Sequence, residues 1–289
     1  MLNIVKQARA AFSLLNPDEV RSRATRPVSI GLVANNDPGY EELEDFLLPS
    51  GMPDYARLAV REQIHRAGDP DVPETVDLVL YQQGIPHTRG PHTLHPDDPE
   101  ATISQILEQH DELALPLARQ FPAFRRPVVE GIIHAVAREN ALFAIATAVP
   151  NIVPSLIELP WAFGEFASDT AFLTANQVRM AFFIAAACGR HPGFGRQKTE
   201  ILSIVASAFG WRALARELVG HIPVGGGLIP KGAVAYAGTF AVGKSLEYYH
   251  HANRLYTDEQ RDQAYRQALE RGRHVAESVR AAAVRERST

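Results

Sequence analysis

Short apolar runs typical of buried strands occur only in the first third of this chain, and this uneven distribution constrains the fold most. RPVSIGLVA predicts a buried strand over residues 28–34, the turn NNDPG follows it, and YEELEDFLL predicts an amphipathic helix. A second run, TVDLVLYQ, predicts a strand over residues 75–82. Strands that alternate with helices are typical of a parallel α/β unit, which we expect over residues 27–115.

After residue 100 the chain carries only helical patterns. Segment 128–149 predicts one long helix, and DTAFLTANQVRMAFFIAAACG predicts another that Asp169 caps and Gly189 ends. A third helix is expected from about Lys231 to Leu255. We therefore predict an α+β, mostly α fold with four parts: an N-terminal amphipathic helix (1–26), a small α/β module (27–115), a larger all-helical domain (116–256) and a charged C-terminal helix (257–289).

Composition restricts the class of protein. The 289 residues carry a formal net charge of −4, whereas a broad nucleic-acid surface requires a basic excess, so we expect no nucleic-acid partner. The single cysteine, Cys188, cannot form an internal disulfide and fits a reducing cytosol. Residues 1–15 lack an uninterrupted apolar run and a small-residue cleavage site, so no secretory signal is expected.

The stretch GTFAVGKS matches the phosphate-binding Walker A pattern G-x-x-x-x-G-K-[ST]. Gly238, Gly243, Lys244 and Ser245 occupy its defined positions, and a GTP- or ATP-dependent hydrolase that uses them is one hypothesis for function. A phosphate loop, however, requires a buried strand in front of it. The residues AVAYA precede Gly238, and alanine is depleted in strands.

Small residues recur at every fourth position through the same stretch, namely Ala233, Ala237, Ala241 and Ser245. This spacing favours a helix that packs closely against a neighbour, and close packing offsets the cost of about 1 kcal/mol for each glycine in a helix interior. Conversely, the strand at 28–34 is followed by NNDPGYEEL and not by a glycine-lysine-serine turn. The sequence therefore favours a coincidental match on a helix.

The segment from about 140 to 250 resembles a bacterial domain of unknown function, number 697. This domain is found alone, in YcjF-type proteins, or fused to Era-like GTPases. The resemblance is carried by TANQVRM, AFGWRALARELVGHIPVGG and AYAGTFAVGKSLEYY, in the order and spacing of that family. The motif residues are Pro150, Asp169, Asn176, Gln177, Met180, Gly189, Pro223, Gly226 and Gly238.

The resemblance implies an architecture more than a reaction. The α/β module lies where fused relatives carry a GTPase domain, but Asn35-Asn36-Asp37-Pro38-Gly39 stands in place of the phosphate loop. A degenerate, P-loop-like module that does not hydrolyse nucleotide is therefore implied. The position of Lys244 in such proteins is not a phosphate ligand. YcjF-type relatives are associated with the inner membrane, which implies peripheral contact with it.

Three groups of residues are candidate metal ligands. Glu247 and His250 form Glu-x-x-His, the spacing by which one helix supplies two ligands to a di-iron centre. The pairs Glu130/His134 and Glu217/His221 have one residue more between them. Zinc ligands are also available in the proline-rich loop 84–100, which we expect to be exposed and solvated: His87, His92, His95, Asp97 and Asp98. For the helical pairs we favour polar groups that are satisfied near helix ends, and for the loop we favour solvated side chains without a metal; no cofactor is expected.

The stretch 141–164 has a single charged residue, Glu158, but three prolines interrupt it. Spanning a bilayer requires roughly 20 continuous apolar residues. The other apolar stretches carry charges, at Arg179, Arg212, Lys231 and Lys244. These segments are therefore predicted to be helices buried in a soluble bundle of a cytoplasmic protein.

Two functions of different classes follow. The favoured hypothesis is a non-enzymatic interaction or scaffold protein, whose helical domain docks on a partner protein or on the inner membrane. No Gly-x-Ser-x-Gly elbow supports covalent hydrolysis. The alternative is the nucleotide-dependent hydrolase that uses GTFAVGKS. Neither the partner nor the oligomeric state follows from the sequence, and a homo-oligomer is compatible with it.

Overall fold

The computed structural model describes residues 15–70, 72–87, 90, 92–147, 169–204 and 228–286. The chain forms two compact units. The α/β unit comprises Glu19–Glu130 and Ala186–His191, and the helical unit comprises the rest of the chain. The α/β unit extends beyond the predicted 27–115 segment on both sides because flanking helices contribute to its core. Residues 1–14 of the predicted N-terminal helix lie outside the described residues.

The α/β unit alternates short strands with helices. Each strand is only two to four residues long, which limits the sheet to a small platform. Its elements in chain order are helix α1 (Pro17–Ala24), β1 (Ile30–Val33), α2 (Asp37–Leu47), α3 (Asp54–Arg61), β2 (Ile64–Arg66), β3 (Leu78–Tyr81), β4 (His92–Thr93), α4 (Pro99–Gln109), a 3₁₀ turn (Asp111–Leu113) and α5 (Ala114–Gln120).

The four strands form one parallel sheet in the order β2-β1-β3-β4. Ile30 of β1 is paired with Ile64 on one side and with Leu78 on the other. Strands β1 and β3 are the two predicted from apolar runs. The loop prediction for 84–100 was partly wrong, because His92 and Thr93 pair with the edge of β3 and His92 is only 1% exposed. A two-residue strand has no periodic pattern by which a sequence could indicate it.

The core of the α/β unit contains residues from the strands and from the helices on both sides. Ile30, Leu32 and Leu80 of the sheet are fully buried. Phe121 and Phe124, from the helices that follow residue 113, are buried in the same cluster. The ring of Phe124 meets that of Phe46 edge-on, with centroids 6.1 Å apart. These aromatic contacts explain why the unit includes residues up to 130.

The helical unit contains most of four long helices. They are α6 (Pro122–Ala146), whose first turns belong to the α/β unit, α7 (Asp169–Ala187), α8 (Leu228–Ala252) and α9 (Asp258–Glu286), and residues 198–204 are also helical. A Thr-x-x-Gln capping box begins α9: Thr257 Oγ1 accepts from the N–H of Gln260, and Gln260 Oε1 accepts from that of Thr257. The mostly α class with a small parallel sheet is thus confirmed.

Small residues allow the helices of this unit to approach closely. Ala233, Ala237, Ala241 and Ser245, the predicted small-residue face of α8, are all buried. A Cβ at Gly272 of α9 would lie 2.8 Å from the carbonyl oxygen of Ala233, so only glycine fits there. Among the described residues, no helix combines the length and the apolar character that crossing a membrane requires.

Candidate functional site

The strand order places a topological switch point between β1 and β3. From β1 the chain crosses to β2 on one side, and the later strands β3 and β4 lie on the other side. Ligands of open α/β sheets bind in the crevice outside the carboxyl ends of the strands at such a point. The segments that follow Val33 and Tyr81 therefore flank the position where a nucleotide phosphate would be expected.

Side chains of the protein itself occupy this position. Asn36 caps α2, and its Oδ1 accepts a hydrogen bond of 2.8 Å from the N–H of Gly39. The Gln82 amide lies directly over the same turn, since a Cβ at Gly39 would be 2.7 Å from Gln82 Nε2. Gln82 Oε1 also accepts from the N–H of Asn35, at 3.5 Å. One N–H group of the first turn of α2 and one N–H group of the segment before it thus point at oxygen atoms of the chain, where a phosphate loop directs such groups at a ligand.

Arg66, a cation on the strand next to β1, is also engaged. Nε of Arg66, at the end of β2, donates to Glu44 Oε1 at 2.7 Å, and its guanidinium lies 5.1 Å from the ring centre of Tyr40. The hydrogen bond to Glu44 raises the pKa of Arg66. Asp37, in the first turn of α2, is 3.9 Å from Arg66 and adds negative charge where a phosphate would lie. The crevice is therefore electrostatically unsuited to an anion.

The Walker A-like stretch lies in the interior of helix α8. Lys244 forms an ion pair with Glu247 one turn later, and Ser245 Oγ accepts a hydrogen bond of 3.0 Å from the N–H of Tyr256. A Cβ at Gly243 would lie 2.8 Å from Ile133. The backbone N–H groups of this helix interior bond along the helix and do not form a phosphate cradle. Gly238 is buried in the same helix.

The candidate metal ligands have partners within the protein. Glu247 is paired with Lys244, and the His250 ring contacts that of Tyr249. His134 Nδ1 lies 2.7 Å from the hydroxyl of Tyr236, and Glu130 pairs with Arg126 at 3.6 Å. Glu217 and His221 lie outside the described residues. Within the part of the chain that the structure describes, no three histidine, cysteine, aspartate or glutamate side chains are placed to bind a metal.

The candidate zinc ligands of loop 84–100 are dispersed among several local contacts. Asp98 caps α4 by accepting from the N–H of Ala101 at 3.1 Å, and the backbone N–H of His95 donates to Thr102. His87 contacts Thr93 at 2.5 Å. Asp97 is exposed.

His92 lies against His110, with their Nε2 atoms 3.1 Å apart. Burial, and then the neighbouring His110 and His87, lower the pKa of His92 to about 4. Nδ1 of His92 is buried without a hydrogen-bond partner among the described residues. We therefore place the ring hydrogen on Nε2, where it is donated to His110, because the opposite tautomer would bury an unpaired N–H.

A buried polar network connects three helices of the helical unit. Asn140 of α6 donates to Thr239 Oγ1 of α8 at 2.8 Å, and Asn176 of α7 donates to Asn140 Oδ1 at 2.9 Å. Gln177 donates to the same Thr239 oxygen at 3.2 Å. All four residues are at most 6% exposed. The motif residue Gln177 thus contacts GTFAVGKS directly, and Asn176 is linked to it through Asn140.

An ion pair extends this network towards the surface. Arg179 forms an ion pair with Glu139, and its Nε donates to Asn176 Oδ1 at 2.9 Å. Glu139 also accepts from the Asn176 amide at 2.9 Å. Glu139 and Asn140 are not predicted from the sequence as partners; their signal is a run of three polar residues, 138–140, in the largely apolar helix pattern of 128–149.

Of the remaining motif residues, Met180 is buried within α7, and the others delimit helices or lie outside the described residues. Asp169 is the first residue of α7. Gly189 follows the end of α7 with a φ of 78°, and its N–H donates to the Ala186 carbonyl at 3.1 Å, which explains the requirement for glycine. Pro150, Pro223 and Gly226 lie outside the described residues.

Neither protein-family models, nor curated proteins, nor solved structures match the chain. The resemblance to the domain of unknown function stays a prediction.

Proposed function

We propose that this chain is a non-enzymatic interaction protein. Its α/β unit has the topology of a nucleotide-binding module, but side chains of the unit occupy the position where a phosphate would bind. The protein acts by binding a partner protein. One observation carries the proposal: the Gln82 amide packs on Gly39 in the first turn of α2, and Asn36 accepts the Gly39 N–H. This arrangement agrees with the degenerate GTPase-like module that the family resemblance implies.

An exposed apolar pair supports a partner-binding role. Tyr55 and Leu58 lie one turn apart on α3 and are 78% and 67% exposed. Two large apolar side chains on one exposed helical face are a feature of protein interaction sites. The alternative hydrolase has less support, because Lys244 and Ser245 are engaged inside α8.

Calorimetric titration with GTP and with ATP in magnesium tests the non-enzymatic part. We expect no binding heat from the wild-type chain, from Lys244→Ala or from Gln82→Ala. Binding that is lost in Lys244→Ala would establish a phosphate site at GTFAVGKS. Binding that Gln82→Ala changes, while Lys244→Ala does not, would place a nucleotide at the sheet. Either result overturns the proposal.

Photocrosslinking in cells tests the partner-binding part. A benzophenone amino acid replaces Tyr55 in one variant and the exposed Arg23 in a matched control. We expect a discrete protein adduct from position 55 and none from position 23. Equal labelling from both positions, or adducts with lipid alone, would contradict a protein partner at α3, and lipid adducts would assign the face to the membrane.

A further inference from the structure

A groove in the α/β unit has the size of a small-molecule site. Its volume is about 660 Å³, within the range of 300–1,000 Å³ that ligand pockets occupy. Four parts of the unit form it: the segment between α1 and β1, helix α3 with the turns on either side of it, the region around α5 and the start of α6, and residues Cys188 and Gly189 after α7. It lies apart from the crevice at the carboxyl ends of the strands.

The charged side chains that line the groove are all positive. Arg119 and Arg125 line it, and no aspartate or glutamate is among its lining residues. Arg119 Nη1 donates to the carbonyl oxygens of Ala186 at 3.2 Å and of Arg190 at 2.9 Å, so no carboxylate compensates its charge there. Burial lowers the pKa of Arg119, as expected for a partly desolvated cation without an anionic partner.

Arg125, like Arg119, has no carboxylate partner among the described residues. No ion pair or hydrogen bond of Arg125 occurs among the described residues, and its Nε is buried without an acceptor. A buried, unpaired guanidinium donor is costly, and an anion that accepts from it recovers that cost. Arg126, the next residue, is exposed and pairs with Glu130, so the unpaired state is specific to the residue that faces the groove.

Apolar side chains also line the groove and could contact the apolar part of a ligand. They come from Met52, Pro53, Tyr55, Val60 and Pro122. Tyr55 is largely exposed at the rim, whereas Met52 and Val60 are buried. The groove therefore combines two unneutralised guanidinium groups with an apolar surface large enough for a ring or a short chain.

We propose that this groove binds a small organic anion, a molecule with a carboxylate, sulfonate or phosphate group on an apolar ring or chain. The anionic group accepts a hydrogen bond from the guanidinium of Arg125 and lies near the guanidinium of Arg119. The apolar body of the ligand lies between Met52 and Pro122. The site lies away from the switch point and requires no nucleotide, and it shares Tyr55, at its rim, with the proposed partner-binding face.

Fluorescence titration with anilinonaphthalene sulfonate, an anionic aromatic probe, tests the site directly. Its uncharged analogue N-phenyl-1-naphthylamine reports on apolar contact alone. We expect Arg125→Gln to weaken sulfonate binding about tenfold and neutral binding less than about twofold, because one charge-assisted contact is lost. The matched control Arg126→Gln is expected to bind both probes as the wild type does. Thermal melts of each variant exclude unfolding as the source of fluorescence.

Filling the groove provides a second test that does not involve charge. Ala59 is an exposed residue of α3 that lines the groove, so Ala59→Trp is expected to block both probes without loss of thermal stability. The proposal is overturned if Arg125→Gln and Arg126→Gln bind the sulfonate equally, or if Ala59→Trp folds and binds both probes as the wild type does. Should Arg125→Gln fail to fold, Ala59→Trp decides the question.

Discussion

Among the described residues, the titratable groups that lower the pKa of His92 are His110 and His87, and burial of the imidazole in the α/β unit lowers it further. Their combined effect is to favour the neutral ring in the folded protein. The Nδ1 atom of His110 lies 3.7 Å from Glu112 Oε1, so this carboxylate is on the side of the His110 ring that faces away from His92. The pair therefore makes folding sensitive to acid.

We expect the His92 contribution to stability to be lost as the pH falls. Its pKa is about 4 in the folded protein and about 6.5 in the unfolded chain, so the unfolded state binds the extra proton between these values. The contribution is present above pH 6.5 and decreases by about 3 kcal/mol on acidification to pH 4. Urea unfolding of the wild type and of His92→Gln at several pH values measures the difference.

His95→Gln is the control for this experiment, since His95 is exposed in the same loop. The difference in unfolding free energy between His95→Gln and the wild type is expected to stay constant with pH. If the difference in unfolding free energy between His92→Gln and the wild type is also constant with pH, the pKa of His92 is the same in the folded and unfolded states. That result would contradict the burial argument.

At the scale of secondary-structure elements, α8 is held by close packing on one face. Ala237 is fully buried in a cluster with Ala137 and Ala141 of α6 and with Ala264 and Tyr265 of α9. Such a contact leaves no room for a longer side chain. The alanine periodicity in the sequence reflects this packing.

Ala237→Leu is expected to destabilise the protein by about 1–3 kcal/mol, because the added methyl groups meet a packed cluster. Ala252→Leu, at the exposed end of the same helix, is expected to change stability by less than about 0.5 kcal/mol. Thermal melts of both variants test this. Equal melting temperatures for Ala237→Leu and the wild type would contradict the close packing of α8.

The polar network is expected to act as a unit across α6, α7 and α8. Asn140→Ala removes the group that bonds both Thr239 and Asn176, and we expect a loss of about 1–3 kcal/mol. Asn176→Ala is expected to lower the free energy of unfolding by a similar amount. The double variant is expected to lose less than the sum of the two single losses, because both changes break the same hydrogen bond. Chemical denaturation of the three variants gives the coupling free energy, and strict additivity would argue against a connected network.

At the scale of the whole molecule, the described residues contain separate apolar clusters in the two units. Leu80 of the central strand β3 belongs only to the cluster of the α/β unit. We expect Leu80→Ala to cost about 2–5 kcal/mol and to accelerate amide hydrogen exchange in β1 and β3 more than in α8 and α9. An equal acceleration in all four elements would show that the units unfold together.

Much of this architecture could be predicted from local sequence. The strands β1 and β3 follow from short apolar runs, and α8 follows from alanine-rich periodicity with only one β-branched residue, Val234, among the five in front of GTFAVGKS. The stop of α7 at Gly189 follows from the need for a positive φ. These features depend on neighbours along the chain, so composition and periodicity carry the necessary information.

Only the tertiary structure decided which distant residues meet. Gln82 reaches Gly39, Asn140 reaches Thr239, and Arg125 is left unpaired beside an apolar groove. Strand β4 likewise exists because β3 offers a free edge. Each depends on the alignment of elements remote along the chain, and a local pattern does not encode that alignment. The sequence by itself therefore determined the elements, and packing between them decided the sites.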